Sequence, residues 1–232
     1  AMTREAPRLV FTTDVNGTTT PDNTFAELVR PHGHNKKMAN LMKEYTTGKS
    51  IFSETLREMK KLIASVDRAR IAEYALKMPL FPGVKRTLDT LVSSEKIVAS
   101  VAFSTTGFAG LIALVNKLRH NFRLKVAASD VLVDCLEPDE KACIIDFIST
   151  EKDKARVLDD LIERHKPHLE LIFHVGDTLG DFPGIVHAAE RGGIGIAFCP
   201  NKALKTAIER LESTIRKNIV SVAPKTGSGP DY

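Results

Sequence analysis

Four short apolar runs set the limits on how this chain can fold. Residues 9–13, 97–103, 169–175 and 195–198 are each bounded by turn residues, the pattern of buried strands. The first stops at Asp14-Val15-Asn16-Gly17, the second at Ser104-Thr105-Thr106-Gly107 and the third at Gly176-Asp177-Thr178-Leu179-Gly180-Asp181. Stretches of helical period follow or separate them at 84–92, 108–118, 154–164, 185–191 and 202–219. Residues 124–127 read as a further strand, and 131–133 with 142–148 as a hairpin around Glu137-Pro138-Asp139-Glu140. Strand and helix in alternation imply an α/β fold with a Rossmann-like, doubly wound parallel sheet. The Gly/Ser/Pro-rich stretch 224–232 is expected to lack regular structure.

Residues 23–79 depart from that alternation. Phe25 and Leu28, Met38 and Leu41, Phe52 and Leu56, and Ile71 and Tyr74 open four helix-period patterns with no strand among them. The spacing therefore predicts an inserted helical block over 21–81, carried by a core made of 1–20 and 82–232. Pro82-Gly83 marks the return to the core. Gly48-Lys49-Ser50 is no phosphate-binding loop, because it lacks the upstream glycine and the preceding strand. An insert beside the sheet edge that carries Asp14 is placed to act as a lid.

Composition excludes several classes. The 232 residues, 43% hydrophobic and 27% charged, suit one large soluble domain or a domain plus a small insert. No apolar run approaches the ~20 residues of a membrane span, and the first residues lack a secretory leader pattern. Cys135, Cys143 and Cys199 show no CxxC spacing and read as reduced thiols of a cytoplasmic protein. The net charge of +4 suits a small anionic ligand, no nucleic-acid motif is present, and a monomer or homodimer is expected.

Asp14 ends a strand where ligands of open α/β sheets bind. Alone it reads first as a turn residue. Four segments in order change its meaning: Asp14-Val15-Asn16-Gly17-Thr18; Ser104 closing an apolar strand; Lys154 opening a helix; and Gly176-Asp177-Thr178-Leu179-Gly180-Asp181. Together they resemble the haloacid dehalogenase superfamily, and within it the phosphoserine phosphatase-like branch. The resemblance implies Mg²⁺ held by Asp14, the backbone carbonyl of Asn16, and Asp177, with Asp181 as a ligand or support. It implies attack on phosphorus by Asp14 to give an aspartyl-phosphate that water hydrolyses. Ser104 and Lys154 then hold the phosphoryl oxygens, with Thr18 and Thr105 close enough in sequence to assist.

One departure stands out. In the family's phosphatases the residue two after the nucleophile is an aspartate that protonates the leaving group; here it is Asn16. An amide donates a hydrogen bond but exchanges no proton near neutral pH, and general acid catalysis is typically worth ~10²–10⁴-fold. A good leaving group (enol, aryl or acyl), ligand binding without turnover, or deamidation of Asn16-Gly17 each reconciles the change. Dehalogenases and phosphonate hydrolases differ at this position too. Lys36, Lys37, Lys43 and Lys49 keep a cap lysine available for the latter, though that branch carries a small residue two after the nucleophile.

The cap glutamate and arginine that read phosphoserine in that branch align with Asn23 and Met59, while Phe52 keeps the aromatic position. Asn23, Phe52 and Met59 thus imply a less zwitterionic, partly apolar substrate. The resulting expectation is a Mg²⁺-dependent phosphatase-like hydrolase of a small phosphorylated metabolite. The alternative is a phospho-ligand-binding pseudoenzyme.

Overall fold

The computed structural model describes residues 5–105, 125–128, 145–147, 152–223 and 232. Its centre is one seven-stranded sheet in the order β4-β3-β2-β1-β5-β6-β7. The strands are β1 (Arg8–Thr13), β2 (Val98–Ser104), β3 (Lys125–Ala128), β4 (Ile145–Phe147), β5 (Ile172–Gly176), β6 (Ile194–Phe198) and β7 (Ile219–Val222). Every neighbouring pair runs parallel. Strand β1 is central, which is why five of its six residues are buried and its sequence is apolar or threonine throughout after Arg8. The chain builds outward from β1 through β2 to β4, then crosses to the other side of β1 to lay down β5. The switch point therefore lies between β1 and β5, where such sheets open a crevice.

Register aligns the carboxyl ends at that crevice. Thr13 stands opposite Phe103 on one side and Val175 on the other. The residues that follow these partners, Asp14, Ser104 and Gly176-Asp177, thus share one edge. Helices α1 (Thr24–Val29), α2 (Asn35–Thr46), α3 (Phe52–Ile63) and α4 (Arg68–Lys77) lie between β1 and α5 (Val84–Ser93) in sequence. Helix α1 touches the other three. On α3, Phe52, Thr55, Leu56, Met59, Leu62 and Ile63 repeat at helical spacing and form its buried stripe. Helix α5 packs on β2, α6 (Lys152–His165) on β1 and β2, and α7 (Phe182–Glu190) on β5 and β6. One contiguous apolar cluster runs from the helical block through the sheet layer. No helix among the described residues is long and apolar enough to cross a membrane.

Several boundaries differ from expectation. The predicted helix over 202–219 is α8 (Lys202–Glu209), then α9 (Ser213–Arg216), then β7. Leu204, Ile208, Ile215 and Ile219 keep a helical spacing, but the β-branched Ile219 and Val220 pair along β6, from Gly195↔Ile219 to Phe198↔Val222. That pairing satisfies backbone groups β6 would otherwise leave open. The strand expected over 169–175 begins as a 3₁₀ turn, Leu169–Leu171, closed by the Leu171 N–H donating to His168 O. The described part of the predicted hairpin, Ile145–Phe147, pairs parallel with β3; 131–133 lie outside the described residues, as do the helix expected over 108–118, Cys135 and Cys143. Cys199 is a free thiol. Within the stretch expected to lack structure, Tyr232 is an exception: it packs against the core cluster.

Candidate active site

The turn after β1 brings the first carboxylate into place. The Asp14 N–H donates to Val175 O at 2.9 Å, and Val15 O receives the N–H groups of Thr18, Thr19 and Thr20. This folds 15–20 into a tight loop whose Gly17 sits at φ +74°. A Cβ there would lie 2.2 Å from Asp177 Oδ2, so only glycine lets the two loops approach. At the end of β5, Gly176 plays the same part: its Cβ would fall 2.1 Å from Asp181 Cγ.

Asp181 is fully buried and fully committed. Its Oδ2 accepts the N–H groups of Asp177 (3.1 Å) and Thr178 (3.3 Å). Its Oδ1 accepts Lys154 Nζ at 2.5 Å. The same ammonium is 3.2 Å from Asp14 Oδ1. Lys154 is 2% exposed, whereas Lys152 one turn-edge away is exposed; Lys154 is the lysine of the site. Burial works against its charge, but Asp14 and Asp181 outweigh that and hold its pKa above the ordinary value. Burial likewise disfavours the Asp181 carboxylate, and Lys154 with His174 overturns it, so its pKa falls.

Asp14 and Asp177 lack that compensation. Burial, then Asp181, push Asp14 up to about 7 against Lys154 and a hydrogen bond from the Thr105 hydroxyl. Burial, then Asp14 and Asp181, push Asp177 up to about 8. Carboxylate oxygens of Asp14, Asp177 and Asp181 lie within 4.8 Å of one another. Hard oxygens crowded beyond what one ammonium neutralises fit a small divalent cation.

Ser104 is fully buried, and its hydroxyl has no hydrogen-bond partner among the described residues. Asn16 Oδ1 accepts from both the N–H (3.1 Å) and the hydroxyl (2.6 Å) of Thr24, the first residue of α1. Meanwhile the Gly17 N–H donates to Thr20 O at 2.8 Å. Both partners of an Asn-Gly cyclisation are therefore held in place.

The structure thus groups Asp14, Thr105, Lys154, Asp177 and Asp181 through contacts, with Ser104 beside them in register. The Thr18 hydroxyl donates to Asp177 Oδ1 at 3.0 Å. Asn23 is exposed, and its side chain accepts the Ala26 N–H as the N-cap of α1. Phe52 packs on Tyr45 with ring centroids 5.6 Å apart, and Met59 is 2% exposed in the apolar interior. Local structure accounts for all three of these expected substrate contacts.

Two residues were not anticipated. His174, buried on β5, lies 2.8 Å through Nδ1 from Thr12 Oγ1; its Nε2 is 3.6 Å from Asp181 Oδ1. Burial depresses its pKa, so it is a neutral wall behind Asp181. Tyr232 reaches Thr13, next to Asp14. A histidine inside an apolar strand and an aromatic residue in a Gly/Pro-rich stretch carry no local signal of either placement.

A parallel sheet of this order, with a carboxylate after β1 facing a second acidic loop after β5 and a buried lysine between them, is the arrangement that the resemblance to haloacid dehalogenase-type phosphatases leads one to expect. Comparisons agree. No family model matches the chain. The phosphoserine phosphatase of Methanocaldococcus jannaschii is 23% identical over 195 residues, 83% of this chain and 86% of that protein. A phosphoserine phosphatase structure described as a phospho-aspartyl intermediate analogue superposes with TM-score 0.66 and 19% identity, covering 86% of this chain and 90% of that one. A haloacid dehalogenase family hydrolase from Salmonella enterica serovar Typhi gives 0.68 and 19%, covering 87% and 66%. Sequence and fold together carry the likeness to this superfamily and to its phosphoserine phosphatase-like branch.

Two outcomes follow from the geometry. Gly176→Ala drives Asp181 off Lys154 and destabilises the fold by about 1–3 kcal/mol, an overpacking cost, read by urea unfolding. A divalent cation held by these carboxylates would displace the protons on Asp14 and Asp177, so its affinity is expected to rise with pH through about 7 to about 8. Titration calorimetry at pH 7 in buffers of different ionisation enthalpy then detects proton release. The linkage sign is fixed: both folded pKa values lie above the unfolded ~4. The metal-free fold thus binds the extra protons and loses stability as pH climbs from ~4 to about 8, and Mg²⁺ raises the melting temperature more at pH 8 than at pH 5.

Proposed function

We propose that this protein is a Mg²⁺-dependent phosphatase of a small phosphorylated metabolite, working through an aspartyl-phosphate on Asp14. The observation that carries this is the Lys154 ammonium, buried between Asp14 and Asp181 beside Asp177. A surface ion pair has no reason to be sunk under a sheet edge with a third carboxylate uncompensated next to it.

Asp14, Asp177 and the backbone carbonyl of Asn16 hold Mg²⁺ in this reading. Asp181 serves from behind, because both its oxygens are already engaged. The cation supplies charge neutralisation between an anionic nucleophile and an anionic ester. An Asp14 oxygen attacks phosphorus, the bond to the leaving oxygen breaks, and water later releases phosphate and restores the carboxylate. Lys154 neutralises charge on the transferring group. The Ser104 hydroxyl, without a partner of its own among the described residues, is free to donate to a phosphoryl oxygen. Residues 21–81 act as the cap and 1–20 with 82–232 as the core. The free thiol of Cys199 suits a cytoplasmic setting.

A specific observation favours the second reading, a pseudoenzyme that binds a phosphorylated ligand. Asn16 spends its amide oxygen on Thr24 and keeps only N–H groups to offer. Such a group stabilises a leaving oxygen but cannot protonate it. The two readings separate on a matched pair, an aryl and an alkyl phosphate, with and without Mg²⁺. The phosphatase reading expects Mg²⁺-dependent aryl hydrolysis that Asp14→Asn abolishes. It also expects Asn16→Asp to raise alkyl turnover by up to ~10²–10⁴-fold and aryl turnover far less. Phosphate and Mg²⁺ binding without any turnover selects the pseudoenzyme.

A further inference from the structure

Tyr232 makes four contacts, each with a different part of the molecule. Its hydroxyl donates to Thr13 Oγ1 at 2.6 Å. The Thr13 hydroxyl in turn donates to the carbonyl of Asp14 at 3.1 Å. The Tyr232 N–H donates to Pro82 O at 2.8 Å, and its own carbonyl accepts the Thr87 hydroxyl at 3.1 Å. Its ring stands edge-on to Phe198, with centroids 5.5 Å apart.

Those anchor points are not scattered. Pro82 belongs to the strand of chain that returns from the helical block, and Thr87 to the first turns of α5. Immediately before Pro82, the Phe81 N–H donates to Thr19 O at 2.9 Å, where the outgoing and returning crossings of the block meet. The Phe81 ring packs on the same Phe198, at 5.4 Å. Tyr232 therefore bridges the crossing point and the backbone of Asp14. Burial raises its phenol pKa, so the group stays a donor across the working pH range.

We propose that Tyr232 is a positioning residue that clasps the crossing between helical block and sheet to the end of β1, and so fixes the backbone that carries Asp14. The proposal rests on Asp14 being the reacting carboxylate. The directed sequence of hydrogen bonds, Tyr232 to Thr13 to the Asp14 carbonyl, restricts the rotation that would swing Asp14 out of line. A reaction that lacks a general acid depends all the more on alignment of the attacking oxygen. The phenol donates its hydrogen bond to Thr13 and not to a carboxylate of the site, so its effect falls on turnover rather than on substrate binding.

Tyr232→Phe keeps the ring and both backbone contacts and deletes one hydrogen bond. With an aryl phosphate and saturating Mg²⁺, kcat falls about 3- to 10-fold, the scale of one hydrogen bond, while KM stays at the wild-type value and the melting temperature falls by no more than about 2–4 °C. Thr13→Val reproduces the loss, and the double variant loses no more than either single one. Wild-type kcat in Tyr232→Phe, additive losses in the double variant, or a change confined to KM overturns the clasp. Hydrogen exchange gives a readout independent of turnover: in Tyr232→Phe the peptide covering 10–20 exchanges faster and one covering 202–209 does not. Equal exchange of 10–20 in both proteins also overturns the clasp. An inert wild type that still shows the exchange difference instead removes the phosphatase reading and leaves the clasp standing.

Discussion

The site hangs on one ammonium. Three carboxylates are crowded into the crevice between β1 and β5, and Lys154 is the cation placed among them. Removing water from such groups costs several kcal/mol per ion, and close pairing recovers it only when hydrogen bonds complete the set. Asp181 meets that demand, with two backbone N–H groups on one oxygen and Lys154 on the other. Asp14 shares what remains of the ammonium, and Asp177 has a threonine hydroxyl in place of a charge. The cluster therefore holds protons more readily than free carboxylates do, and its crowded oxygens are able to hold a further cation.

That charge arrangement dictates the backbone around it. Carboxylates can be brought this close only if the turns bearing them have no side chains in the way, hence Gly17 beside Asp177 and Gly176 beside Asp181. The sheet register sets the coarse distance by ending β1, β2 and β5 level. The turn geometry sets the fine one. Helix α6 packs on β1 and β2 with Val157, Leu158 and Leu161 and thereby holds Lys154 at the crevice. Apolar packing supplies the energy here and polar groups supply the placement. The same division appears at Tyr232, whose ring sits on Phe198 while its hydroxyl finds Thr13.

The alternation of apolar runs and helix-period stretches was enough to predict a parallel sheet with Asp14, Ser104 and Asp177 at one edge, because Asp14 and Asp177 follow their strands directly and Ser104 ends its own. Lys154 was legible only through the order of the four segments, since Lys152 fits a helix start as well. The sequence did not reveal that Thr18 serves Asp177, that Asn23 is a cap, or that His174 backs Asp181. Those facts depend on contacts across 159 residues for Thr18 and Asp177, or on a competition between local and distant partners that periodicity does not encode. Strand β7 escaped for a related reason. Ile215 and Ile219 suit a helix locally, and only the open edge of β6 decides otherwise.

Asn16 shows how one position can answer to two demands. A residue there stands between the catalytic loop and the first turn of α1, whose N–H groups need an acceptor. The amide oxygen of Asn16 meets that need twice over, at Thr24 N and Oγ1. A carboxylate would accept the same two bonds and still present a second oxygen to the leaving group. The amide presents an N–H₂ instead. Asparagine at this position therefore keeps the link between loop and helix and trades proton transfer for hydrogen-bond donation. That trade costs little only for leaving groups stable as anions. In the phosphatase reading proposed above, charge on the leaving oxygen then falls to the donors already fixed in the crevice, and alignment of Asp14 against phosphorus becomes the main resource left to the site.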